Sequence, residues 1–447
     1  MNKMKKSKYS RRSFLTALGI GSATVATSAY QPIVFGNKLS EGKSMNNKTL
    51  RDFVEIVRYR KNEVDEFLDD TLPNWGKFDA ELGYTVRTFS RHDGIDGSNT
   101  VHSLADTGIQ RRQVNYPTEP CRINTYGDSF TMCSQCNDGE TWQEFLAAHI
   151  REPVRNFGVG GYGAYQAYRR MRRVEKTSLD AKYHILNIFT DDNYRNLDLA
   201  RWVRNSRARE TIRGGKFNMI HANPWCYLRW NADTLTFDEI ENPCNTKELL
   251  YKFCDKDFVY DLLEHDFMTQ IALARAGYQV SDLDLLQSNA DSLKLNLKFA
   301  NANDCLEQCN SLAWILAQKA SLHTVDLHRK YCEEDNKKLL VCTSYTSGEV
   351  EKACSGEARN NDILFDGLQS CGLPFVDGLE IHKEDYKNFS CNPADYASRF
   401  YVGHYAPQGN FFYADALKNT VVDVLDPKPP AYKGVLKSSL GVEKQLL

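Results

Sequence analysis

Residues 183–190, YHILNIFT, form an almost unbroken apolar run with no alternation of polar and apolar positions. A strand with one face in water alternates, so this run reads as a strand covered on both faces, as in the centre of a parallel sheet. Its neighbours fit that reading. CRINTYG (121–127) reads as a strand, and the following DGETWQEFLAAHI sets Trp142, Phe145, Leu146 and Ile150 on one helical stripe. VRNFG (154–158) is a short strand, and YGAYQAYRRMRRVEK (162–176) a helix whose Arg169, Arg170, Arg172 and Arg173 are expected to face solvent. Strand, helix, strand, helix, strand predicts crossover units on an open parallel sheet.

The alternation lapses after about residue 200 and resumes with the strands KKLLVCTSY (337–345) and LPFVDG (373–378), before an amphipathic closing helix, QGNFFYADALKNTVVDVL (408–425). Between them, 224–242 looks like a hairpin turning at NAD, and 246–320 is largely helical. A structureless loop of that length is implausible, so the chain reads as one α/β domain with an inserted, mainly helical cap. The expected divisions are 1–30 export signal, 31–115 linker and N-terminal extension, 116–200 first part of the core, 201–325 cap, 326–430 second part of the core and 431–447 tail. Within the extension, LRDFVEIVRYRKNEVDEFL places Phe53, Ile56, Val57, Val64 and Leu68 at helical spacing.

Lys and Arg total 56 against 58 Asp and Glu, well mixed along the chain, so no field favours nucleic acid and no such partner is expected. The first residues carry Lys3, Lys5, Lys6, Lys8 and the pair Arg11-Arg12, then Phe14-Leu15 and a mildly apolar, small-residue run. That is the layout of an export signal. SRRSFL resembles the bacterial twin-arginine signal, which implies the twin-arginine export machinery as a partner, a periplasmic or secreted location, and membrane contact only through an uncleaved signal. In an oxidising compartment the thirteen cysteines are candidates for disulfides, with at least one left unpaired by the odd count. Cys133 and Cys136 form one CxxC and Cys305 and Cys309 lie one helical turn apart; without a second CxxC or a close His pair, disulfides or buried thiols are preferred to metal, and no metal or cofactor is expected.

Chemistry collects where strands end. INTYGDSFT (123–131) delivers Ser129 just past the first strand, NFGVGGYG follows the second with tight-turning glycines, TDDNYRN follows the third, and YVGHYAPQGN places His404 before the last helix. A hydroxyl, free amides, a polar cluster and an imidazole on one edge are the inventory of acyl transfer. Ser129 is the candidate nucleophile and His404 its base and then acid. Asp191, Asp192 and Arg195 are candidate substrate contacts, with a helix cap and a surface ion pair as the structural alternatives.

These segments resemble the SGNH, or GDSL, hydrolase family. GDSFT matches the nucleophile block at Ser129, NFGVGG the second block with its oxyanion glycine at Gly161, and HYAPQGN the C-terminal block at His404. The resemblance, over about 116–200 and 330–425, implies a flavodoxin-like three-layer sandwich with a parallel five-stranded sheet and esterase, lipase or O-acyltransferase chemistry without metal. Two positions depart from the family. Its third block supplies Asn then Asp, where this chain has Asp191-Asp192-Asn193; an ionised Asp191 cannot donate to an oxyanion, leaving Asn193 or main-chain amides. The family's acid three residues before the histidine is Tyr401 here, leaving Asp395, Asp377 or a main-chain carbonyl to orient the imidazole. The expected function is an exported serine esterase acting on an O-acetyl or related acyl group of a carbohydrate, with Trp202, Trp225, Tyr227 and Trp230 of the cap either stacking on sugar or packing. An O-acetyltransferase, a lipase-like acylhydrolase and a catalytically degenerate glycan-binding protein stay open.

Overall fold

Tyr183–Phe189, the apolar run, is the middle strand of a five-stranded, all-parallel sheet. The computed structural model describes residues 48–205, 223–301, 305–360 and 362–430. The expected signal (1–30), the start of the linker, residues 206–222 of the cap and the tail 431–447 lie outside the described residues.

Along the chain, the extension supplies α1 (Leu50–Val57), α2 (Lys61–Leu68) and two hairpin-like pairs, β1 (Gly76–Asp79) with β2 (Gly83–Val86) and β3 (Phe89–His92) with β4 (Asn99–His102). The single helical pattern over 50–68 is thus two helices, parted at Arg58–Arg60, where the chain becomes extended. The core follows as β5 (Ile123–Tyr126), α3 (Ser129–Met132), α4 (Trp142–Ile150), β6 (Arg155–Asn156), α5 (Ala164–Val174), β7 (Tyr183–Phe189) and α6 (Asp192–Arg195). The insert comprises α7 (Arg201–Arg204), the antiparallel pair β8 (Tyr227–Asn231) and β9 (Thr236–Ile240), then α8 (Lys247–Lys252), α9 (Lys256–Leu263), α10 (Phe267–Ala276) and α11 (Leu283–Ser292). The long α12 (Leu306–Glu334) runs across the boundary expected at 325 and leads directly into β10 (Lys338–Ser344), so one helix serves both cap and crossover. The chain closes with α13 (Ser347–Cys354), α14 (Asp362–Ser370), β11 (Phe375–Val376), α15 (Gly378–Tyr386), α16 (Pro393–Ser398) and α17 (Pro407–Val424).

The sheet order is β6-β5-β7-β10-β11, which is 2-1-3-4-5 in core numbering, the flavodoxin-like arrangement of an α/β three-layer fold. Period-two alternation sorts each strand's side chains between two cores. Tyr126, Leu186, Ile188, Leu339 and Val341 join the larger core with α5, α12, the cap and the extension. Ile123, Ile185, Phe189, Leu340 and Cys342 join the other, with α4 and α17. Both faces of β7 are therefore dry, and all seven of its residues are buried.

The basic side of α5 is a solvated face only in part: Arg173 is exposed as expected, Arg169 and Arg172 are half-buried and Arg170 is not exposed. Arg170 is buried and donates to Thr85 and the Ile109 carbonyl, Arg169 reaches Glu81 and Glu241, and Arg173 pairs with Asp79. The extension lies along that helix, and the arginines satisfy its carboxylates and carbonyls at the contact. Among the described residues no helix is long and apolar enough to cross a membrane.

Candidate active site

At the end of β5 the chain turns through Gly127, and Asp128 caps α3, its carboxylate accepting from the Phe130 amide at 2.9 Å. This cap fixes Ser129 at the first helical position, beyond the carboxyl edge of the sheet. The loop after β6 then presses against α3. A Cβ on Gly158 would lie 2.2 Å from the Met132 nitrogen, so that approach excludes every other residue. His404 arrives from the loop before α17, nearly the whole core away in sequence, and its Nε2 lies 2.8 Å from Ser129 Oγ.

The other face of the imidazole meets a residue the sequence did not reveal. Gln135 Oε1 lies 2.9 Å from His404 Nδ1 and accepts from the His404 amide at 2.9 Å. The orientation of this carboxamide is fixed from behind, because its nitrogen donates to the carbonyls of Asp93 (3.0 Å) and Val402 (2.8 Å). Its oxygen must then face two donors, which sets the proton on Nδ1 and leaves Nε2 as the acceptor for the Ser129 hydroxyl. Gln135 sits between the two cysteines of the CxxC at a left-handed φ of +69°, two residues after Cys133 at +56°. Arg111 of the extension holds this unusual segment, donating to the carbonyls of Met132 (2.6 Å) and Cys136 (2.6 Å) while paired with buried Asp138 (2.9 Å). Both CxxC thiols turn into the core, and all thirteen cysteines are free thiols rather than the disulfides considered from sequence.

Neither acid proposed from the sequence orients His404. Asp377 is a buried cap of α15 that accepts from Thr343 (3.1 Å) and pairs with Arg359. Asp395 is exposed in the first turn of α16 and bonds Asn392. Asn193 also departs from its expected role. Its nitrogen donates to the Thr190 carbonyl (2.8 Å) and its oxygen accepts from Ser321 of α12 (2.6 Å), so its side chain ties α6 to α12. Gly161 does sit in the loop facing the serine, at φ +86°, and its amide and that of Ser129 have no acceptor among the described residues. Gly160 backs the serine directly, a Cβ there lying 3.8 Å from Ser129 Cβ, and its carbonyl is held by the Tyr84 hydroxyl of the extension at 2.8 Å.

Asp192 and Arg195 are buried structure, and Asp191, part exposed, is taken up by arginines rather than left open. Arg195, 2 % exposed, donates to Asp191 (2.9 Å), Asp192 (2.7 Å) and the Tyr162 carbonyl (2.9 Å), and reaches Asp128 at 3.4 Å. Arg204 pairs with Asp191 and Asp198, each at 2.9 Å, and Arg201 lies 3.3 Å from Asp191. Asp192 also accepts from the Phe189 amide, closing the end of β7. Burial drives the Asp128 carboxyl up, against the pull of Arg195. The Asp191 carboxyl is held well below the usual range by Arg204 and Arg195, although its burial acts the other way. His404 is pushed down from 6.5 to about 4, first by desolvation and then by the positive field of Arg195, Arg201 and Arg91.

The geometry can move a proton from a hydroxyl to a neutral imidazole within the positive field of Arg195, Arg201 and Arg91. Compared with known proteins, the chain matches no protein-family model and no curated protein.

Proposed function

We propose that this chain is an exported serine esterase of the SGNH type, hydrolysing an ester through a Ser129–His404 acyl-enzyme. The observation that carries the reading is the 2.8 Å contact between His404 Nε2 and Ser129 Oγ, with Nδ1 committed to Gln135. Ser129 Oγ attacks the carbonyl carbon as its proton passes to Nε2. The tetrahedral oxyanion takes hydrogen bonds from the amides of Ser129 and Gly161, each such donor being worth about 3 kcal/mol in the barrier. His404 returns the proton to the departing alcohol, then activates the water that releases the acid.

Gln135 replaces the usual carboxylate. It orients the ring and selects its tautomer but brings no negative charge to stabilise an imidazolium. The field of Arg195, Arg201 and Arg91, which disfavours the imidazolium, favours the oxyanion formed in the same step.

A polar alcohol moiety carrying an O-acetyl or similar short acyl group, as on a carbohydrate, suits the surroundings of His404, which include Gln135, the Asp93 carbonyl and exposed Arg91. The cap aromatics do not add a stacking platform: Trp202, Trp225 and Tyr227 are buried, and only Trp230 is part exposed. Acetate release from an acetylated polysaccharide, measured beside turnover of a long-chain acyl ester, tests the reading. Acetate release that vanishes in Ser129→Ala is expected; a folded protein that turns over neither ester would contradict it.

A further inference from the structure

We propose that His184, His328 and Cys332 bind one thiophilic transition-metal ion, zinc foremost, at the end of the sheet opposite Ser129. His328 and Cys332 are four residues apart on α12, hence on one face of that helix, and His184 projects from the start of β7. All three are buried. His184 Nδ1 lies 3.0 Å from His328 Nε2 and 3.4 Å from Cys332 Sγ, and the three donor atoms fall within 4.8 Å of one another. Zinc bonds of about 2.0–2.1 Å to nitrogen and about 2.3 Å to sulfur in a tetrahedron put neighbouring donors roughly 3.3–3.6 Å apart. The two separations from His184 Nδ1 are within a few tenths of an ångström of these values, and His328 Nε2 and Cys332 Sγ, within 4.8 Å of each other, have at most about 1.2 Å to close.

The surroundings of His184 match what a metal-binding histidine needs. Its Nε2 lies 3.0 Å from the Glu175 carboxylate, whose negative charge favours the tautomer protonated at Nε2 and so a lone pair on Nδ1, the atom that faces the other two donors. Glu175 is held in turn by the Tyr126 hydroxyl (2.6 Å), Asn124 (2.7 Å) and Lys337 (2.6 Å). Two imidazoles and a thiolate suit zinc and its neighbours and exclude magnesium and calcium, which take oxygen. Of the three, Cys332 also lines a cavity of about 330 Å³ with Arg329, Glu333 and Lys337. On binding, the Cys332 thiol loses its proton to solvent and the sulfur lone pair forms the bond. The ion would pin α12 to β7, and the same helix carries Ser321, which holds Asn193.

The test uses the full chain, purified reduced. About one equivalent of zinc per chain is expected to survive dialysis. Cobalt(II) added to the metal-stripped protein should give a thiolate-to-cobalt charge-transfer band and the strong d–d bands of a four-coordinate ion. Both should vanish in Cys332→Ser and weaken in His328→Gln. They should persist in Cys309→Ser, which removes one sulfur of the close Cys305–Cys309 pair (3.7 Å). Chelation should lower the melting temperature of the wild type and not that of Cys332→Ser. Should a substituted chain not fold, the wild-type zinc content and cobalt spectrum decide alone. Folded, reduced wild type that holds no zinc and gives no cobalt band, or a band that survives Cys332→Ser, would overturn the proposal.

Discussion

The line Gln135–His404–Ser129 carries no formal charge at rest, whereas beside it Asp128, Asp191, Asp192 and Asp198 are interleaved with Arg195, Arg201 and Arg204. Asp128 is the border between the two, 3.2 Å from Ser129 Oγ on one side and 3.4 Å from Arg195 on the other. The charged cluster, buried except for part of Asp191, is multiply bonded, so it fixes the loops after β5 and β7. The neutral line is part exposed and rests on one imidazole, one hydroxyl and one carboxamide. The contrast shows how a histidine can be oriented without a carboxylate of its own, while Asp128 fixes the serine. The charged partners hold the frame, and a dipole orients the ring.

Each way of breaking this contrast has its own signature. The largest effect is expected from Ser129→Ala or His404→Ala, which should lower esterase kcat by about 10³-fold or more while leaving the melting temperature near wild type. Arg195→Met attacks the other cluster. It leaves Asp128, Asp191 and Asp192 without their shared counter-charge and should cost about 3–5 kcal/mol in denaturant unfolding, the range for a broken buried ion pair. Gln135→Ala removes the Nδ1 acceptor and should lower kcat by roughly ten- to a hundredfold with little change in KM, equivalent to about 1–3 kcal/mol for one lost oriented hydrogen bond.

Gln135→Glu sharpens the comparison by moving a charge across the border. In the wild type the base is neutral above about pH 4, so kcat/KM should hold into the acid range and fall only as pH drops through that value. A carboxylate at 135 favours the imidazolium, so the acid limb should move upward; an unmoved limb would show that another group sets it. Gly403→Ala is the milder probe, since a Cβ at its φ of +117° would lie 2.6 Å from Gln135 Oε1; about a tenfold fall in kcat is expected, with the fold retained. A separate effect is on stability against pH. The unfolded ring of His404 takes its proton near 6.5 and the folded ring only near 4, so its contribution to stability should be lost as pH falls from about 6.5 to 4 and change no further below.

The core and the meeting of Ser129 with His404 were legible because both depend on strand ends. Apolar runs mark the strands, and in a parallel sheet the residues just beyond them share one edge whatever their separation along the chain. Gln135 was not legible, because its role comes from a left-handed turn held by Arg111, and both lie in stretches with no periodicity. The triad acids failed for a related reason. Asp377 and Asp395 sit near His404 in sequence, but each begins a helix and its carboxylate is taken up by that helix or its neighbours. Asn193 looked like an oxyanion donor because its segment ends β7, yet α12 packs there and Ser321 claims it. The extension, expected only as a linker and N-terminal extension, is a brace for the site through Tyr84, Asp93 and Arg111.

The account stands most directly on the reactivity of one hydroxyl. Folded wild-type protein treated with a fluorophosphonate and mapped by peptide mass spectrometry should carry the adduct on Ser129, and the adduct should be lost in His404→Ala. A folded wild type that stays unlabelled, or that is labelled only on another residue, would contradict it.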